Sequence, residues 1–147
     1  MGARAQLVLA FDFGLKRIGI AGGDTLTRSS APLATVAHHA GGPDWLAIER
    51  EVARFGPDLL LVGAPYNDDG SPGSLAAAAD AFATNLAART GLMVARVDER
   101  YSSTAAHSRL REQRAAGERR RRVVKGDIDS AAAAIMLAGW LEQRGHS

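Results

Sequence analysis

The sequence predicts an α/β protein with a central mixed five-stranded sheet, in which the first three strands are antiparallel, the next two are parallel, and helices flank the sheet. Three observations support this fold class. Residues 7–14 and 17–23 are extended apolar runs joined by a tight connection at Gly14, which is typical of a β-hairpin. Residues 58–63 form a continuous apolar run, as in a parallel strand covered on both faces. Beyond residue 43, helical and strand signals alternate.

The composition predicts one compact domain over residues 1–147. Of the 147 residues, 46% are hydrophobic, and no apolar run approaches the ~20 residues needed to cross a bilayer. We therefore expect a cytoplasmic protein without a membrane partner. The absence of cysteine excludes disulfides, thiolate zinc sites and cysteine nucleophiles. A histidine metal site is also disfavoured, because His38 and His39 are adjacent in an expected loop and the other two histidines stand alone.

The second and third extended runs have features of irregular strands. Within residues 17–23, Gly19, Gly22 and Gly23 weaken the strand and predict a β-bulge or the close approach of another backbone. The third run, residues 31–37, contains a proline at its start and therefore suits an edge of the sheet.

One helix is predicted before the strand at residues 58–63, and another is predicted after it. The first begins at Pro43 and Asp44, has apolar side chains at helical spacing, and stops at residues 56–57. The second is alanine-rich and covers residues 73–89. The loop at residues 64–70 connects the strand at residues 58–63 to the second helix. Open α/β sheets bind ligands at the carboxyl ends of their strands, so this loop is a candidate wall of a site.

The C-terminal part predicts one more strand and two more helices. The strand covers residues 92–99 and ends in carboxylates, and a helix then runs from residues 102–104 to about residue 114. Residues 115–126 have no periodicity, so no regular structure is predicted there. The pattern at residues 128–144 predicts an apolar helix.

Asp12 is the first candidate functional residue, because it lies near the end of a buried strand. Desolvating a carboxylate costs several kcal/mol unless a cation or hydrogen bonds compensate, so a cation is expected beside it. The alternative is that Asp12 caps a turn, although Phe13 separates it from Gly14.

Periodicity selects two further carboxylates. Strand alternation places Glu99 on the same face as Ala95 and Val97. In the last helix Asp127 and Asp129 are about 200° apart around the axis, so one of them can face the sheet. Asp129 aligns with an apolar stripe, while Asp127 is better explained as a charge that complements the helix dipole; a dipole role for Asp129 remains the alternative.

Positive charge is concentrated between residues 100 and 125. This segment has nine basic and two acidic side chains, a net charge of +7, whereas the whole chain carries +2. Such asymmetry predicts a polyphosphate partner. A hydrated basic segment without a partner is the alternative.

Four motifs resemble the YqgF/RuvX family, in order and nearly from end to end. They are FDFGxxRIG at residues 11–19, VGxPxNxDG at 62–70, DERxS at 98–102 and KGxIDSAA at 125–132. Two positions depart from the family pattern, since Ala64 replaces a frequent leucine and Asp127 replaces a frequent lysine. The second departure leaves open which aspartate acts.

The resemblance implies a ribonuclease-H-like fold and a nuclease that processes the 5′ end of precursor 16S rRNA during ribosome biogenesis, or a Holliday-junction resolvase-like DNA endonuclease. It implies that Asp12, Glu99 and Asp129 are the catalytic residues. Three crowded carboxylates repel one another unless a cation binds, and their oxygens suit Mg²⁺ or Mn²⁺. A pair of such ions can activate water and stabilise the leaving oxygen, so the same three residues are the expected metal ligands.

The expected partner is nucleic acid, namely structured RNA or branched DNA, within a ribosomal precursor particle in the RNA case. The expected contacts are basic or amide side chains near the motifs and in the basic segment: Lys16, Arg17, Asn67, Arg100, Arg119, Arg120, Arg121, Arg122 and Lys125. Two alternatives remain. The chain could bind nucleic acid without cleaving it, or Asp-x-Gly could begin a phosphate loop like that of actin-like ATPases, which need a second such domain.

Overall fold

A computed structural model describes residues 6–39, 41–64, 73–97 and 125–145. These residues form six strands and three helices in the following order. They are β1 (Leu7–Asp12), β2 (Arg17–Asp24), β3 (Ser29–His39), β4 (Gly42–Pro43), α1 (Trp45–Phe55), β5 (Leu59–Gly63), α2 (Gly73–Thr90), β6 (Met93–Val97) and α3 (Lys125–Gly145).

The strands form one mixed sheet in the order β4-β3-β2-β1-β5-β6. β1, β2 and β3 are antiparallel neighbours, β5 pairs in parallel with β1, and β6 pairs in parallel with β5. The predicted arrangement of three antiparallel and two parallel strands is therefore confirmed. β1 lies inside the sheet, with a partner along each side.

The sheet has six strands rather than the predicted five, because β3 continues through His38 and His39. These two residues pair with Pro43 and Gly42 of β4. Gly42 has φ of +123°, a conformation that glycine adopts without strain, so the chain can turn back here. The expected loop at the two histidines was thus wrong, and Pro43 belongs to β4 instead of the first helical turn.

The helix boundaries follow local capping chemistry. Asp44 is the N-cap of α1, and its Oδ1 accepts a hydrogen bond from the backbone nitrogen of Ala47 at 3.2 Å. Gly56 ends α1 in the left-handed conformation, and Gly91 follows α2 with φ of +73°. α3 begins at Lys125, three residues before the predicted start, so Asp127 lies in its first turn.

Side-chain alternation divides the core between the two faces of the sheet. Leu9 and Phe11 of β1 pack on the face that α1 and α2 cover, where both are fully buried. Val8 and Ala10 pack on the opposite face with residues of α3, such as Leu137. Burying one such large apolar side chain contributes about 1.5–3 kcal/mol, so both layers stabilise the position of β1.

β2 shows the predicted close approach of another backbone. Its pairing with β3 also shifts register between Ile20 and Ala21, where the unmatched residue is Leu33 of β3, so the predicted bulge does not lie in β2 itself. A Cβ atom at Gly19 would collide with the backbone carbonyl of Asp129, and one at Gly23 would lie 2.9 Å from Leu137 Cδ2. The glycines thus allow α3 to pack closely on this strand.

Within the residues described, no helix is both long and apolar enough to cross a membrane.

Candidate active site

Asp12 is the last residue of β1 and lies between two glycines in the sheet. It pairs with Gly19 of β2 and with Gly63 of β5. By alternation with Val8 and Ala10, its side chain belongs to the face covered by α3. Its Oδ1 atom is buried. The predicted carboxylate therefore lies at the end of an interior strand.

Gly19 brings Asp129 to this same position. The backbone carbonyl of Asp129 occupies the space that a side chain at Gly19 would fill. Paired residues on antiparallel strands have Cα atoms about 4.5–5.5 Å apart, and their side chains point to the same face. Because Gly19 pairs with Asp12, the α3 backbone at Asp129 packs beside Asp12. The predicted aspartates thus share one end of one sheet face.

Arg17 forms an ion pair with Asp129. Its Nε donates a hydrogen bond to Asp129 Oδ2 at 2.6 Å, and the two side chains are 39% and 27% exposed. Arg17 was predicted as a phosphate contact, and its role toward Asp129 was missed. The sequence does contain a signal, since Arg17 and Gly19 are two residues apart on one strand and therefore face the same side.

His38 was also missed, and it fastens the turn that carries Lys16. The His38 backbone nitrogen donates to the Lys16 carbonyl at 3.0 Å. Its Nδ1 lies 2.7 Å from the Gly14 carbonyl oxygen, which can only accept, so Nδ1 carries the proton. The β1–β2 turn, with the exposed Lys16 and the partly exposed Arg17 that follows it, is therefore held against β3. No sequence pattern marks this role, because the register that places His38 opposite the turn is set only when β3 pairs with β2.

Several predicted site residues lie outside the described part of the chain. Glu99, Asn67, Arg100 and the arginines at 119–122 belong to this group, and the side chains of Lys125 and Asp127 are likewise not described. β6 ends at Val97, which packs with Ala95 on the α3 face, as strand alternation predicted. Among the described residues, no three acidic, histidine or cysteine side chains gather as a metal site.

The donor chemistry of Asp12 and Asp129 fits a hard divalent cation. Both supply carboxylate oxygens, which Mg²⁺ and Mn²⁺ prefer, and the two residues share one face of the sheet. The Arg17 guanidinium already neutralises part of the charge at Asp129. Two of the three predicted ligands therefore lie at the same end of one sheet face.

Comparison with known proteins identifies relatives over nearly the whole chain. A protein from Nitrosococcus oceani is 42% identical over 142 residues, which cover 97% of this chain and 90% of the relative. One from Edwardsiella ictaluri is 42% identical over 139 residues, covering 95% and 96%, and one from Pseudomonas putida is 39% identical over 140 residues, covering 95% and 97%. All three are named "Putative pre-16S rRNA nuclease".

Solved structures show the same fold at low sequence identity. The Thermus thermophilus RuvC in complex with a Holliday junction substrate matches with a TM-score of 0.53 and 16% identity, over 94% of this chain and 96% of that one. The yeast mitochondrial Holliday junction resolvase Ydc2 matches with a TM-score of 0.55 and 13% identity, over 94% of this chain and 78% of that one. The predicted ribonuclease-H-like α/β fold is confirmed.

The family model of RuvX, described as Holliday junction resolvase, matches residues 6–143. This range contains all four motifs from which the resemblance was recognised. The prediction of a nuclease family is therefore confirmed by both the family description and the names of the relatives. The chain belongs to the RuvX family.

Proposed function

We propose that this chain is a single-domain, metal-dependent nuclease of residues 1–147 that hydrolyses phosphodiester bonds at the 5′ end of precursor 16S rRNA. The observation that carries the proposal is the packing of Asp129 on Gly19, directly beside Asp12. The names of the relatives at about 40% identity support the choice of substrate. The proposal includes the ribosomal precursor particle as the partner and the cytoplasm as the location.

Asp12, Glu99 and Asp129 would hold Mg²⁺ or Mn²⁺, which when bound supplies an activated water and stabilises the leaving oxygen. Arg17 orients the Asp129 carboxylate through its short hydrogen bond and offers a positive charge to a neighbouring phosphate. Lys16 lies exposed on the adjacent turn, within the same end of the sheet. His38 keeps that turn in place through the Gly14 and Lys16 carbonyls.

Branched DNA is the second candidate substrate, and the family description favours it. Both substrates present a phosphodiester backbone to the same carboxylates. RNA and DNA junctions have different groove shapes, so their strands approach the site in different ways.

Cleavage of the two substrates under matched metal conditions tests the proposal. Purified protein is incubated with end-labelled precursor 16S rRNA and with a synthetic four-way DNA junction, each in Mg²⁺, Mn²⁺ or EDTA. We expect cleavage of the RNA near the mature 5′ end in either metal and none in EDTA. Asp12→Asn is the matched control and should not cut.

Cleavage of the junction alone would replace the RNA assignment by the DNA one. Binding of either substrate without cleavage in any metal would instead favour a non-catalytic nucleic-acid-binding protein. Cleavage that persists in EDTA and in Asp12→Asn would contradict the metal-dependent mechanism.

A further inference from the structure

An open cavity of about 340 Å³ lies on the sheet face opposite Asp129, between the β3–β4 corner and α2. Four aromatic rings line it, those of Phe13, His38, Trp45 and Phe82, and Asn85 lies at its exposed rim. This volume falls within the range of pockets that bind small ligands. The nuclease function proposed above does not use the cavity.

The aromatic rings support one another in fixed positions. Trp45 stacks on Phe82, with ring centroids 5.2 Å apart and an interplanar angle of 19°. Phe13 contacts Phe82 at 5.1 Å and His38 at 5.2 Å. Phe13 and Phe82 are buried, while Trp45 is partly exposed. A flat ligand would therefore meet preformed aromatic walls.

Polar groups surround these walls. Because His38 Nδ1 donates to the Gly14 carbonyl, Nε2 is the ring nitrogen that can hydrogen-bond a ligand. The Asn85 amide can both donate and accept. The Arg89 guanidinium lies 4.4 Å above the Trp45 ring, so a positive charge is present beside the cavity. Aromatic faces with a few donors, acceptors and a cation match the edges and phosphate of a nucleotide.

The cavity adjoins the candidate active site along the chain. Phe13 directly follows Asp12, and its backbone nitrogen still donates to the Gly63 carbonyl at 2.8 Å. Successive strand residues point to opposite faces, so Asp12 and the ring of Phe13 lie on either side of the same strand end. A nucleic-acid strand that crosses this end can present a phosphate to Asp12 and a neighbouring base to the cavity.

We propose that this cavity binds one unpaired nucleobase of the nucleic-acid strand whose phosphate lies at Asp12, an inference that rests on the proposed nuclease function. A base within a duplex is stacked and paired, so the substrate must be single-stranded at this nucleotide. The cavity thereby directs the enzyme to junctions between paired and unpaired segments.

Trp45 fluorescence tests the proposal without cleavage. The chain contains two tryptophans, so Trp140→Phe leaves Trp45 as the single reporter. In EDTA, this protein is titrated with a short single-stranded RNA, with a strand of the same length that lacks bases, and with a blunt duplex. We expect saturable quenching by the single strand and little quenching by the abasic strand or the duplex. Equal quenching by the normal and abasic strands would overturn the proposal.

Affinity measurements with fluorescently labelled RNA provide the second test. Loss of one base–aromatic stack weakens binding roughly 5- to 150-fold, so we expect a loss in this range for Trp45→Ala and a smaller one for Asn85→Ala. Asn85 is exposed, which protects the second variant from misfolding. Leu46→Ala is the matched control, because Leu46 is adjacent to Trp45 but 70% exposed, and it should bind normally.

The nuclease proposal and the base-binding proposal can be disproved independently of each other. Asp12→Asn should lose hydrolysis and still quench Trp45 fluorescence with the single strand. Unchanged affinity in both Trp45→Ala and Asn85→Ala would refute base binding even if the wild-type protein cleaves RNA. Quenching that depends on bases would uphold base binding even if no metal supports cleavage.

Discussion

At the scale of single residues, Asp129 is shared between an ion pair and a proposed metal. Arg17 Nε holds Asp129 Oδ2 at 2.6 Å, and both side chains are partly exposed. Such an ion pair contributes about 0.2–1 kcal/mol to stability, far less than the burial of a core side chain. We therefore expect the pair to act mainly by orienting the carboxylate and by competing for it with the proposed metal ion.

Amide substitutions test the three carboxylates directly. We expect Asp12→Asn, Glu99→Gln and Asp129→Asn each to reduce hydrolysis at least about 100-fold, as when one electrostatic contact to a transition state is removed. Single-turnover cleavage of labelled RNA measures this loss, and circular dichroism verifies the fold. Asp127→Asn is the control and should retain most activity. If Asp127→Asn were inactive and Asp129→Asn were active, Asp127 would be the catalytic aspartate of this helix.

Arg17→Gln tests the competition between the ion pair and the metal. Removing the cation should lower the melting temperature of the metal-free protein slightly, because about 0.2–1 kcal/mol is lost. It should also tighten Mn²⁺ binding, since Asp129 Oδ2 is released, while cleavage becomes slower because the carboxylate loses its orientation. Isothermal titration with Mn²⁺ measures the affinity. Lys16→Gln removes an exposed neighbouring cation and should leave metal affinity nearly unchanged. Equal affinities in Arg17→Gln and wild type would argue against competition.

At the scale of elements, the site depends on how closely α3 packs on β2. The contact is possible because Gly19 has no side chain at the point where the Asp129 carbonyl approaches. Apolar residues farther along α3, such as Leu137 and Leu141, bury themselves on the same sheet face and hold the helix there. The position of Asp129 is thus a property of the helix–sheet interface.

Gly19→Ala tests this interface. The added methyl group would overlap the Asp129 backbone, so the helix must move; overpacking of this kind typically costs about 1–3 kcal/mol. We expect a lower midpoint of urea unfolding and a loss of cleavage that excess Mg²⁺ does not restore. Gly41→Ala is the stability control, because a Cβ there meets nothing within 4 Å. A Gly19→Ala protein with wild-type stability and activity would contradict the importance of close packing.

At the scale of the whole molecule, charge is distributed unevenly along the chain. The segment from residue 100 to residue 125 carries +7, so the remainder carries −5 within a total of +2. We expect a segment of this charge to attract polyphosphate, while the proposed catalytic carboxylates remain available to the proposed metal. Four consecutive arginines, Arg119 to Arg122, contribute more than half of that local excess.

Replacing these four arginines with alanine tests their contribution to binding. Each phosphate contact to single-stranded nucleic acid contributes about 0.7 to the slope of log affinity against log salt, so the slope should become shallower by about three units. Binding is measured in EDTA from low to moderate salt. Because phosphate contacts carry no sequence information, the loss should be similar for different sequences of one shape. A change below about half a unit would indicate that the arginines remain hydrated.

Features that depend on local periodicity and local chemistry could be predicted from the sequence. Alternation along β1 separates Phe11 from Asp12, and Asp44 and Gly56 delimit α1 through capping. The three antiparallel strands followed by two parallel ones also follow from connection lengths, since a hairpin needs a short turn and a parallel strand needs a crossover. These interactions involve neighbours in the chain, so a single sequence contains them.

Contacts between distant segments could not be predicted in this way, because they form only when the whole chain folds. Arg17 and Asp129 are 112 residues apart, and their pairing depends on where α3 packs against β2. The extra strand β4 and the aromatic cavity likewise depend on how the β3–β4 corner meets α2. Periodicity identifies the face of an element but leaves its partner and its axial position open. Those two choices are made by packing of the whole core, in which many side chains must fit at once.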